Sequence, residues 1–66
     1  MKLKVNGEDR EIEEGATVSD LLNQLQLPSS GVAVAVNGRV VPRSRHREHV
    51  LCTHDAIELI RAVGGG

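Results

Sequence analysis

Apolar residues in the first half of the chain follow two different periods. Leu3 and Val5 alternate with Lys2, Lys4 and Asn6, the period of a half-buried strand. The next pair, Asn6-Gly7, favours the positive dihedrals of a tight hairpin, so Arg10 to Glu13 is expected to return as an antiparallel strand with Ile12 facing inward. Beyond Gly15 the spacing changes. Val18, Leu21, Leu22 and Leu25 recur at i, i+3, i+4 and i+7, while Ser19, Asp20, Asn23, Gln24 and Gln26 cover the opposite side of the same helix. Thr17 stands where an N-cap belongs, with Asp20 three residues on in a capping-box position, and Pro28 is expected to stop the helix.

The second half returns to strands. Ser29-Ser30-Gly31 reads as a loop, and Val32-Ala33-Val34-Ala35-Val36 as a strand with valines on one side and small residues on the other. A second Asn-Gly pair, Asn37-Gly38, leads into Val40-Val41, a strand that Pro42 keeps short and near an edge. Ser44 to His49 has no sustained apolar period and reads as a polar connection with at most a helical turn, ahead of a brief apolar stretch at Val50-Leu51-Cys52. His54-Asp55 marks a turn. Ala56 to Val63 then reads as a final strand, Ile57 and Leu59 on one face and Glu58 and Ile60 on the other, followed by three glycines.

The order is strand, strand, helix, strand, strand, strand, and a single amphipathic helix buries its stripe against one face of the sheet. This is an α+β chain of the β-grasp, ubiquitin-like kind, with a mixed sheet of four to five strands. Residues 1–63 form the domain and 64–66 a flexible glycine tail. With the first and last strands parallel at the sheet centre, the tail leaves from the best-supported part of the fold.

Composition narrows the picture further. With 66 residues and no Phe, Tyr or Trp, the core is built from Val, Leu, Ile and Ala, near the lower size limit for a domain without disulfides or metal. Cys52 is the only cysteine, which excludes an internal disulfide, and there is no signal-peptide pattern and no apolar run long enough to span a bilayer. The expected location is the cytoplasm. Net charge is -1, yet Glu8, Asp9, Glu11, Glu13 and Glu14 gather early while Arg39, Arg43, Arg45 and Arg47, with His46 and His49, gather late. Solvated faces are the simpler reading of both runs; partner docking is the other.

Gly64-Gly65-Gly66 contributes no packing and is costly to order, so it is either a frayed end or a functional one. The functional argument is steric. A tail without Cβ atoms is thin enough to thread a narrow active-site channel and present its terminal carboxylate.

The chain as a whole resembles the ThiS family, the sulfur carrier proteins of thiamine thiazole biosynthesis. The resemblance lies in Leu3-Lys4-Val5-Asn6-Gly7, Thr17-Val18-Ser19-Asp20-Leu21-Leu22, Val34-Ala35-Val36-Asn37-Gly38 with Val41-Pro42-Arg43, and above all Ile57 through Gly66. It implies a carrier and not an enzyme. A ThiF-like adenylyltransferase uses ATP and magnesium to adenylate the Gly66 carboxylate, a sulfur donor such as a cysteine desulfurase relay converts it to a thiocarboxylate, and a ThiG-like thiazole synthase receives the sulfur. On this reading Gly64 and Gly65 thread the partner's active site, while Glu58, Ile60, Arg61, Ala62 and Val63 are candidates for partner contact. The chain itself binds no cofactor or metal, and neither nucleic acid nor membrane is an expected partner. One departure stands out, because the turn before the last strand is commonly Gly-Asp in the family and His54-Asp55 here.

Other readings compete. His46, His49, Cys52 and His54 contain zinc-ligand chemistry but match no strong zinc spacing, so solvated histidines and a partly buried cysteine are the simpler expectation. The small subunit of molybdopterin synthase shares the fold, the Gly-Gly end and the thiocarboxylate chemistry, though its chains are usually longer and carry aromatic core residues. A β-grasp binding module without tail chemistry, contacting RNA through Arg43 to Arg47, lacks aromatic stacking residues.

Overall fold

The computed structural model describes residues 1–28 and 31–61. Five strands, β1 (Lys2–Val5), β2 (Glu8–Glu11), β3 (Val32–Val36), β4 (Arg39–Val41) and β5 (Ala56–Arg61), accompany one helix, α1 (Val18–Gln24), and a 3-10 turn at Arg43–Arg45. They form one sheet in the order β2-β1-β5-β3-β4. β5 lies at its centre, parallel to β1 through Lys4 and Val5 and antiparallel to β3 along five residue pairs from Val32↔Arg61 to Val36↔Ile57. Helix α1 covers one face. Leu3, Val5, Val34, Val36, Val41 and Ile57 of the sheet pack with Val18, Leu21, Leu22 and Leu51 in a single apolar core.

Both Asn-Gly pairs make the expected two-residue turns, with φ near +51° and +84° at Asn6-Gly7 and +53° and +85° at Asn37-Gly38. Their side chains also act on β5. The Asn6 side-chain carbonyl accepts the Leu59 amide at 2.8 Å, continuing the parallel ladder past the end of β1, where Asn6 N–H donates to the Ile57 carbonyl at 2.8 Å. At the other end of the strand, the Asn37 side-chain carbonyl accepts the Ala56 amide at 2.9 Å while its Nδ2 donates to Asp55 at 2.9 Å. One strand is thus gripped at its first residue and at Leu59 by the turns of the two hairpins.

The capping box at Thr17 and Asp20 is complete, each side chain accepting the other residue's amide at 3.2 and 2.9 Å. The two remaining amides of the first turn are satisfied from outside the helix, Val18 N–H by the His49 carbonyl at 3.0 Å and Ser19 N–H by the His46 carbonyl at 2.9 Å. Ser44 to His49 is a polar connection that contains the end of a 3-10 helical turn, as expected, but it carries more structure than expected, since its carbonyls close α1. His46 is 3% exposed rather than solvated, and its Nε2 lies 3.1 Å from the Val41 carbonyl. A carbonyl only accepts, so Nε2 is the donor, and Nδ1 is buried without a partner among the described residues. The side chain joins β4 to the turn that seals α1.

Three further expectations shift. β2 begins at Glu8 instead of Arg10, because a two-residue loop pairs Val5 directly with Glu8; Ile12 is buried just beyond the strand. The helix ends at Gln24, ahead of Pro28. Gln26 takes φ near +59°, Leu27 N–H donates to the Leu22 carbonyl and Gln26 N–H to the Asn23 carbonyl, which is a Schellman closure made with a residue other than glycine. Cys52 is exposed, not partly buried, and of the Val50-Leu51-Cys52 stretch only Leu51 enters the core. The final strand is described to Arg61, and Ala62 and Val63 of the expected strand lie outside the described residues, as do Ser29 and Ser30.

His54 takes φ near +70° in the turn closed by Asp55 N–H on the Cys52 carbonyl. Left-handed backbone costs about 1–2 kcal/mol for a residue with a Cβ, part of which glycine returns through its freer unfolded state. Gln26→Gly and His54→Gly are each expected to raise stability by roughly 0.5–1 kcal/mol in urea unfolding, and no gain would show that neighbouring contacts already absorb the strain. Asn37→Gly keeps the turn dihedral but deletes the clamp on Ala56, so it should lose about 1 kcal/mol. His46→Ala opens a cavity and frees the Val41 carbonyl, and a loss of roughly 2–3 kcal/mol is expected, read as a fall of about 10 °C or more in thermal midpoint.

Candidate functional site

Strand pairing decides which side chains of β5 reach which surface. Residues directly opposite one another share a face, so Ile57, Leu59 and Arg61 lie on the helix side with Val36, Val34 and Val32, while Glu58 and Ile60 lie on the open side with Ala35 and Ala33. The expected division of Ile57 and Leu59 from Glu58 and Ile60 holds. Arg61 separates from the other contact candidates, because it sits at the rim of a groove formed with Asn6, Leu25, Leu27 and Leu59. Glu58, Ile60 and Arg61 are all exposed, but they present two surfaces and not one.

The open face is apolar over part of its area. Ile60 is 63% exposed, Ala33 pairs with it across the strands, and Val40, 74% exposed, pairs with Ala35. Among the described residues no helix covers this surface. Toward β1 and β2 the same face becomes charged, with Lys4 and Asp9 paired at 3.5 Å. Val40 was not among the residues singled out from the sequence. The signal was present, since the small residues of Val32-Ala33-Val34-Ala35-Val36 mark the open side and a two-residue Asn-Gly loop fixes Val40 opposite Ala35.

Ala62, Val63, Gly64, Gly65 and Gly66 lie outside the described residues. The structure fixes the root from which they extend. β5 is flanked by β1 and β3, and the Asn6 side chain grips it at Leu59, two residues before Arg61.

The histidine and cysteine cluster is dispersed. His46 is buried against β4, His49 is half-buried, and Cys52 and His54 are exposed in the turn leading to β5. Among the described residues no group of three or more His, Cys, Asp or Glu side chains is arranged to hold a metal ion. Nor, among those residues, is any helix long and apolar enough to cross a membrane.

Comparison with known proteins places these features in a family. The profile of the ThiS family matches residues 3–66. The sulfur carrier protein ThiS of Escherichia coli (strain K12) is 33% identical over the whole of both chains. The crystal structure of the thiamine biosynthesis protein ThiS from Geobacter metallireducens superposes with a TM-score of 0.85 at 32% identity, again covering both chains completely. A thiazole synthase of Paramagnetospirillum magneticum is 38% identical over all of this chain, which spans only 20% of that longer protein. Strand order, parallel centre, single covering helix and the run into the C-terminal glycines belong together, and the chain is a member of the ThiS family.

Proposed function

We propose that this protein is a sulfur carrier for thiamine thiazole biosynthesis, with the Gly66 carboxylate as its reactive group. The observation that carries the reading is the extent of the likeness: the family profile runs through the glycines to Gly66, and the related carrier is matched from end to end. A carboxylate is a poor electrophile. Transfer of AMP from ATP, with magnesium, onto the Gly66 carboxylate releases pyrophosphate and leaves a mixed anhydride. A persulfide on a desulfurase relay protein then attacks the acyl carbon, AMP departs to leave an acyl disulfide, and a second thiol of the donor cleaves the sulfur–sulfur bond, leaving the thiocarboxylate on Gly66 and a disulfide on the donor. The carrier supplies the acyl end and needs no side-chain base of its own, since the activating partner provides the leaving group.

Residues 64–66 act as the reactive tail, with Gly64 and Gly65 as the thin lead into the partner's site. Five residues follow Arg61, and an extended chain covers at most about 3.3–3.6 Å per residue, so the carboxylate stays within roughly 18 Å of the end of β5. An enzyme acting on Gly66 must therefore rest against the domain near that end. Ile60 with Ala33 and Ala35 on the open face, and Arg61 at the groove rim, are the surfaces within reach. A segment similar to this chain forms one fifth of a thiazole synthase, which supports a thiazole synthase as the sulfur acceptor.

The test is direct. The full chain is incubated with a ThiF-type adenylyltransferase, ATP, magnesium and a sulfur donor, and its intact mass is taken. Replacement of one oxygen by sulfur at the C-terminus is expected, and deletion of Gly66 should abolish it without loss of fold. An unchanged mass beside an enzyme that modifies the Escherichia coli carrier would overturn the reading.

A further inference from the structure

The fold sorts charge to opposite edges of the sheet. β2, the acidic strand with Glu8, Asp9 and Glu11, is one edge, and β4, with Arg39 and followed by Arg43, Arg45 and Arg47, is the other, about 19 Å away at the usual strand spacing. The two edges are not equivalent. On the acidic side Asp9 pairs with Lys4 at 3.5 Å, Glu11 lies 3.8 Å from the amino terminus, and Gln24 donates to the Glu11 carbonyl at 3.2 Å. Neither of these ion pairs, the two found among the described residues, involves an arginine of the basic edge.

Beside β4 the surface is concave. A groove of about 330 Å³ is lined by Arg39, Val40, Val41, Pro42 and Arg45, with Glu48 and His49 closing one side. Its lining combines three aliphatic residues, Val40, Val41 and Pro42, with two arginines. β4 pairs only with β3, so this side of the strand has no neighbour in the sheet.

We infer that the β4 groove is a docking site for a carboxylate-rich segment of a partner protein, its carboxylates meeting Arg39 and Arg45 and its aliphatic side chains resting on Val40 and Pro42. Charge complementarity selects this occupant. Guanidinium forks favour carboxylates bidentately, and the apolar part of the lining gives a peptide something that a polyanion of phosphates does not use. Single-stranded RNA would need stacking platforms, and the chain has no aromatic residue. A second copy is the poorer fit, because its acidic edge is partly neutralised by its own Lys4 and amino terminus. The groove also lies two strand spacings, roughly 10 Å, from β5, so a protein seated there is close enough to receive the tail. That last link rests on the carrier reading; the docking itself does not.

Two measurements separate the ideas. The isotope-labelled full chain is titrated with an octapeptide of Asp, Glu and Leu, and with its Asn, Gln and Leu counterpart, while backbone amide shifts are followed. Saturable shifts centred on Arg39, Val40, Arg45 and His49 are expected from the acidic peptide alone, weakening with salt, and about tenfold weaker in the Arg39→Gln/Arg45→Gln variant. Glu48→Gln, which removes the one acid in the groove, should tighten binding. Equal binding of the neutral peptide, shifts centred on Ile60 instead, the same shifts on raising the chain's own concentration, or stronger competition by an RNA oligonucleotide would each overturn the proposal. In the adenylation reaction the double variant should raise KM for the carrier about tenfold. An unaltered KM overturns the link between the groove and the tail reaction; absent selective binding of the acidic peptide beside a working tail reaction sinks the docking site and leaves the carrier reading standing, whereas a dead tail reaction with peptide binding intact does the reverse.

Discussion

Everything in this domain depends on holding β5 in place. The strand is flanked on both sides, parallel to β1 and antiparallel to β3, and the asparagine side chains of two separate hairpin turns grip it at Ala56 and at Leu59. A sheet of short strands with no aromatic side chain beneath it has limited apolar area to bury. Hydrogen bonds that tie turn to strand, each contributing about 1 kcal/mol net, are then a sizeable share of a small domain's stability. The two Asn-Gly pairs serve twice, once through backbone dihedrals that reverse the chain and once through side chains that fix its central strand.

The helix is held by a similar economy of parts. α1 has seven residues, too few to persist alone, and its first three amides are satisfied by the Thr17 side chain and by the carbonyls of His46 and His49. The segment after β4 is therefore a seal on the helix rather than a tether between strands. His46 anchors that seal to β4 from inside the protein, which is why an arginine-rich stretch folds back over the core instead of extending into water. The same segment brings Arg45 to the groove beside β4, so a structural requirement of the helix shapes the charge of an edge.

Much of this was legible in the sequence because period and turn chemistry agreed. The alternation of Val32 to Val36, the stripe from Val18 to Leu25, the capping box at Thr17 and the two Asn-Gly turns each pointed to one local structure, and together they left little choice of fold. What stayed hidden was carried by long-range partners. His46 has polar neighbours in sequence, and nothing local shows that the Val41 carbonyl and the start of α1 converge on it. Gln26 is an ordinary helix former by propensity, and the chain turns left-handed there as Leu27 packs against the core and donates to the Leu22 carbonyl, two residues before the proline expected to stop the helix. The split of Arg61 from Glu58 and Ile60 follows from the two-residue period, yet grouping these residues by their nearness to the tail obscured it.

A carrier must present one reactive end to more than one protein, and rigidity and reach work against each other in doing so. A longer tail would probe more volume and lower the effective concentration of its carboxylate at any one site, while a mobile root would blur the distance between that carboxylate and the surface a partner holds. The grip on β5 at Ala56 and Leu59 steadies the strand from which the tail extends. The surfaces around that root differ in chemistry, with an apolar open face at Ile60, a groove edge at Arg61 and a groove with two arginines beside β4. On the proposed carrier function, partners that grip different surfaces would receive the same end, and discrimination among them would rest on the domain.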